Sequence, residues 1–235
     1  MTEDLQGAVA ALHRAFSDVP RPVHVTGCTN CCISEAELQR LVDVPREQLM
    51  ADELQSYAYN VPDTVGEEAD FRYFLPRLLD LVAQGELQGL GAGWVIRRLK
   101  YAPWTTWSSA QVQAIRGYLM VWWLDALSDP AGGPDEHLEH LGEIEPPEAF
   151  ERYLDRWLTA GPVAIDHLAT FVHQHIAELA LGRGWDAFAT RVATDTLYRW
   201  LRSGPPAQTL VQNDEARPDA PGALLRLEAA LLVTP

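Results

Sequence analysis

Residues 162–182 read PVAIDHLATFVHQHIAELALG, and their periodicity decides the fold class. Ile165, Leu168, Ala169, Val172, Ile176 and Leu179 recur at steps of three and four, which lines them along one helix face. Pro162 suits a first helical turn, where its missing N–H removes no bond, and Gly182 and Gly184 suit the stop. Trp185, Phe188, Ala189, Val192 and Trp200 repeat the design in the next segment, closed by Ser203-Gly204-Pro205-Pro206.

The same pattern extends towards both ends. Ser34-Glu35-Ala36-Glu37 is a capping box, in which each outer side chain satisfies the other's free amide. Ser108-Ser109-Ala110-Gln111 offers a second, opening a long helix that ends near Asp129-Pro130. Glu67 to Ala83 predicts a helix with Phe71, Phe74, Leu75, Leu78, Leu79 and Val82 inward, which Pro76 should kink or split. Leu5 to Phe16 and Pro221 to Leu232 supply terminal helices, and the strand signal is confined to Pro22-Val23-His24-Val25. The expectation is an all-α protein of about ten helices, either an irregular bundle or a HEAT-like stack of helical pairs.

A chain of 235 residues buries roughly 70% of its unfolded surface, enough for one core without disulfides. A single helical domain, 1–235, is therefore expected, with the acidic loop 129–147 as its candidate subdivision. Residues 129–151 hold eight carboxylates and neither lysine nor arginine, and read as a charged loop. The eight tryptophans are spread along the chain and read as core aromatics.

Against 33 acidic residues stand 18 basic ones, a net charge of −15 that repels phosphate backbones and argues against nucleic acid. The N-terminal MTEDLQGAVAALHRAF lacks an export pattern, and the apolar run YLMVWWL (118–124) is too short for a bilayer. The expected setting is the cytoplasm, without a membrane partner. Lys100 is the only lysine, and with the many alanines this composition suggests a high-GC bacterial gene.

The most specific motif is His24-Val-Thr-Gly-Cys28-Thr-Asn-Cys31-Cys32, which holds every cysteine of the chain. Three clustered thiols make a poor disulfide framework and suit a reducing compartment. Thiolates two residues apart can share one tetrahedral zinc, with His24 and Cys32 as further ligands. The alternatives are three small buried side chains, or redox chemistry of the C-x-x-C pair. The cofactor expectation is none, or one structural zinc on His24, Cys28, Cys31 and Cys32.

Other signatures are missing. There is no H-E-x-x-H, G-x-S-x-G or Walker loop, and no histidine follows a glutamate by three residues. Gly89-Leu-Gly91-Ala-Gly93 follows a helical segment and reads as a turn. His173 and His175 point apart on a continuous helix, with His175 at the edge of the apolar stripe. Glu136, His137 and His140 would share a helix face, although a solvated loop is the preferred reading there.

Together, Gly27-Cys28, Cys31-Cys32 and Asp70-Phe-Arg-Tyr-Phe-Leu-Pro-Arg77 resemble a family of uncharacterised bacterial helical proteins. Its members share a GC-x-CC-like start, a tyrosine-bearing helix and a D-F-R-Y-F-L-P-R-like helix. The resemblance runs through most of the chain and implies membership, with no assigned activity or catalytic residue. The functional expectation is an acidic protein-binding module, immunity- or antitoxin-like, that steers a basic protein through Asp135, Glu136, Glu139, Glu143, Glu145 and Glu148. The alternative is a zinc-stabilised or thiol-dependent enzyme using the cysteine turn.

Overall fold

In the computed structural model, which describes residues 3–186 and 189–234, the described residues form twelve α-helices and no strand. They are α1 (Glu3–Ala15), α2 (Glu35–Asp43), α3 (Ala51–Asn60), α4 (Glu68–Ala83), α5 (Ala92–Arg97) and α6 (Ser109–Ser128). There follow α7 (Asp135–Ile144), α8 (Pro147–Trp157), α9 (Pro162–Ala180), α10 (Arg191–Leu201), α11 (Pro205–Ala216) and α12 (Ala223–Val233). The chain divides into two units, residues 1–121 and 122–235, and the division falls inside α6. No described helix is long and apolar enough to cross a membrane.

The first unit is organised on α4, which packs against α1, α3 and α5. Phe71, Phe74, Leu75, Leu78 and Leu79 are all buried, as the spacing predicts, while Val82, expected on the same face, is half-buried near the end of the helix. Pro76 sits inside α4 without splitting it, because burial of residues on both sides of the proline holds the helix through. Arg46, only 3% exposed, is the polar knot of this unit. Its guanidinium donates to the Tyr73 carbonyl at 2.9 Å and the Phe16 carbonyl at 2.8 Å, and lies 4.8 Å from the Tyr73 ring.

The second unit is organised on α9, which touches α8, α10, α11 and α12. These neighbours belong to its own helical pair or to an adjoining one, a pattern that an irregular bundle and a stack of helical pairs share. Trp157 fills its centre, with Trp123 at 5.4 Å, Phe171 at 5.5 Å and Trp200 at 6.4 Å between ring centroids. Gly142 lets α7 lie against α10, because a Cβ there would stand 2.7 Å from the Ala193 methyl.

Several expectations change. Pro22–Val25 forms no strand; Val23 is exposed, and the only pairing nearby is an isolated antiparallel bridge between Gly27 and Val65. The helix expected from Trp185 begins at Arg191, where the Thr190 hydroxyl caps the Ala193 amide at 3.1 Å. Trp185 precedes it, Val192 faces solvent, and Phe188 lies outside the described residues. The stretch 129–151 is helical from Asp135 onwards except at Glu145-Pro146, because Leu138, Leu141 and Ile144 give α7 a buried face among its carboxylates.

Candidate functional site

The cysteine turn is built by its backbone. The Cys32 and Ile33 amides both donate to the Cys28 carbonyl, at 3.0 and 3.3 Å, which curls residues 28–33 into one tight turn. Only glycine fits at position 27, since a Cβ there would meet Ile33 Cγ2 at 2.7 Å. The turn is tied to the α3–α4 connection: the Cys28 amide donates to Thr64 O at 3.0 Å and the Gly66 amide to Thr26 O at 2.7 Å. The Asn60 side-chain amide holds the Cys32 carbonyl at 3.2 Å.

This scaffold gathers the three sulfurs within 4.8 Å of one another. Cys28 Sγ lies 3.4 Å from Cys31 Sγ, which lies 3.0 Å from Cys32 Sγ. Cys31 is exposed and the other two are half-buried, so burial as small apolar side chains does not describe them. A thiol proton from Cys31 and the backbone amides of Asn30 and Cys31 hold Cys28 below the usual thiol range. Cys31 is pushed up to about 12 by sharing its proton with Cys32 and then Cys28.

No protein-family model, curated protein or solved structure matches this chain.

A depression of about 350 Å³ lies beside the sulfurs, lined by Thr29, Asn30, Cys31, Cys32, Glu37 and Ser56 among others. Glu37 closes the expected capping box: it accepts from the Ser34 amide at 2.7 Å, and the Ser34 hydroxyl accepts from the Glu37 amide at 3.2 Å. The Ser34 and Ser56 hydroxyls, each 2.6 Å away, also donate to Glu37, and together these bonds keep its carboxyl below the usual range. Sequence reasoning found Ser34 and Glu37 from their spacing but missed Ser56 and Asn60, which arrive from α3.

His24 is exposed and stands outside the set of sulfurs. The chain between it and Cys28 is not helical, so a spacing of four does not bring the two side chains to one face.

The six acidic candidates do not share one exposed face. Glu136 and Glu148 are exposed, Asp135 and Glu143 are half-buried, and Glu139 and Glu145 are buried. Asp135 accepts from His175 Nε2 at 3.2 Å, and Glu145 accepts from the Tyr153 hydroxyl at 3.0 Å. Helical folding of the stretch turns Glu139 inward beside Leu138. Glu139, His140 and Glu143 bring ligand atoms within 4.8 Å of one another, and each has further partners of its own.

His137 is not on a solvated loop; its ring lies against Trp122, with centroids 4.1 Å apart. Burial pushes the imidazolium down to about 4 from 6.5, against a smaller opposing pull from Glu136. Between those two values the unfolded chain takes up a proton that the folded chain refuses. Stability should therefore be unaffected above pH 7 and fall as the pH drops from 6.5 towards 4, by up to about 3 kcal/mol from this residue. Urea midpoints at both ends of that window, compared with His137→Phe, isolate the effect. The variant keeps the ring contact and should lose less stability on acidification; parallel pH profiles would refute the assignment.

Proposed function

We propose that the cysteine turn is the functional centre of this chain and that it holds one zinc ion through Cys28, Cys31 and Cys32. The observation that carries this reading is the grouping of three sulfurs within 4.8 Å on a turn anchored at both ends. Zinc–sulfur bonds of about 2.3 Å in a tetrahedron need sulfurs about 3.8 Å apart. The distances of 3.0 and 3.4 Å require an opening of less than an ångström, and thiolates select zinc over hard cations. Three protein ligands leave a fourth position for water or an external donor. The ion would lock the conformation of the turn, whose backbone is already bonded to the α3–α4 connection, and so stabilise the first unit.

Elemental analysis of untagged protein purified without chelators should give close to one zinc per chain, and the triple Cys→Ser variant close to none. Zinc should also raise the thermal midpoint of the parent only. Less than about 0.2 zinc per chain would overturn the reading.

A second reading is docking on a basic protein. It is supported by the net charge of −15 and by the exposed carboxylates Glu136 and Glu148. Replacing these two by glutamine should slow association with such a partner a few-fold at low salt, and the difference should shrink at physiological salt. Equal association rates at low salt would leave the face merely solvated. Glu139 and Glu145 are excluded from this test because their burial would confound charge with folding.

A further inference from the structure

We infer that the cysteine turn is also a redox switch, in which a hydroperoxide joins Cys28 to Cys31 as a disulfide and thereby ejects the ion. The first half rests on the sulfur geometry alone; only the ejection rests on the zinc reading. Cys28 Sγ and Cys31 Sγ stand 3.4 Å apart, so closing to a bond of about 2.05 Å needs a side-chain adjustment and no new fold. The bond from the Cys32 amide to the Cys28 carbonyl closes the turn that contains Cys28 and Cys31, and residues three apart in such a turn have Cα atoms less than about 7 Å apart, within the reach of a disulfide.

Cys31 and Cys32 have the closer sulfurs, at 3.0 Å, but are the worse pair. Adjacent Cα atoms are about 3.8 Å apart, below the roughly 4.4 Å that unstrained disulfides need. Oxidant reaches the turn because Cys31 is exposed and borders the open depression of about 350 Å³.

The step balances as a two-electron exchange. One thiolate of the pair attacks the peroxide; the O–O bond breaks, an S–O bond forms, and the leaving oxygen departs as an alcohol or water. The second sulfur then attacks the first; the S–S bond forms, the S–O bond breaks, and water leaves with the remaining proton. Two thiols are oxidised and one peroxide is reduced. Cys32 remains as a single thiol, too few ligands to keep a zinc ion.

The test treats the zinc-free and zinc-loaded chain with hydrogen peroxide and maps the linkage by mass spectrometry after alkylation. The zinc-free chain should lose two hydrogens, keep one alkylatable thiol, and yield a Cys28–Cys31 cross-link. Cys32→Ser should form the same cross-link, whereas Cys28→Ser and Cys31→Ser should not form it. A Cys31–Cys32 or Cys28–Cys32 linkage, or over-oxidation without a disulfide, would overturn the inference. With the loaded chain, a chromophoric chelator should register about one zinc released per disulfide formed, and a dithiol reductant should restore binding. Zinc retained by cross-linked chains would defeat the ejection. A reduced chain that never binds zinc would defeat the zinc reading and leave the disulfide arm standing.

Discussion

Arg226→Ala is expected to cost about 3–5 kcal/mol of folding stability, the largest loss from any single polar substitution in the second unit. Arg226 lies on α12 with no exposed surface. Its guanidinium donates to Asp166 Oδ1 at 2.9 Å, Asp214 Oδ1 at 3.2 Å, the Pro221 carbonyl at 3.1 Å and the Arg217 carbonyl at 3.0 Å. Asp166 would keep Arg217, whose Nη2 lies 3.0 Å from its Oδ1. Asp214 is buried, and without Arg226 its charge would stay in a poorly solvated site with its main cationic partner gone. Urea denaturation should show a lower midpoint with an unchanged slope. Arg226→Lys should recover only part of the loss, because one ammonium cannot reach four acceptors spread around a planar fork. A loss below about 1 kcal/mol for the alanine variant would mean that the network reorganises around the missing charge.

Trp157→Ala should be comparably severe, at about 3–5 kcal/mol. The indole is fully buried between Trp123, Phe171 and Trp200, and its Nε1–H donates to the Ala164 carbonyl at 2.8 Å. That bond ties the end of α8 to the first turn of α9, so truncation removes both ring packing and the clasp between consecutive helices. Trp157→Phe separates them: it keeps much of the packing and should lose about 1–3 kcal/mol, from the hydrogen bond and the smaller ring. If the two variants were equally unstable, the clasp and not the packing would be the dominant contribution.

These two residues illustrate what was legible in the sequence and what was not. Local patterns were readable: the apolar stripe of α9, the Ser34–Glu37 box and the inward face of α4 stand where their spacing places them. Each depends on residues three or four apart. Arg46 and Arg226 look like surface residues in the sequence, because their acceptors, from Phe16 to Tyr73 and from Asp166 to Pro221, are joined only by folding. The acidic stretch misled for a related reason. Its Leu138, Leu141 and Ile144 are spaced for a helix, but they are outweighed by flanking glycines, prolines and carboxylates. At the cysteine turn the sequence supplied the three sulfurs, while the chain conformation decided that His24 stays outside them.

The grouping of the indoles has an optical consequence. Trp123, Trp157 and Trp200 lie within 6.4 Å of a neighbouring ring, close enough for their excited states to couple. In the first unit, Trp94, Trp104 and Trp107 each sit under a guanidinium instead, that of Arg98, Arg116 and Arg72 respectively. Near-ultraviolet circular dichroism should therefore be dominated by the coupled trio. Fluorescence should carry a separate contribution from the three cation-covered indoles. One melting experiment followed in both signals would then report whether the halves of the chain lose their structure together or in succession, with no label attached to either.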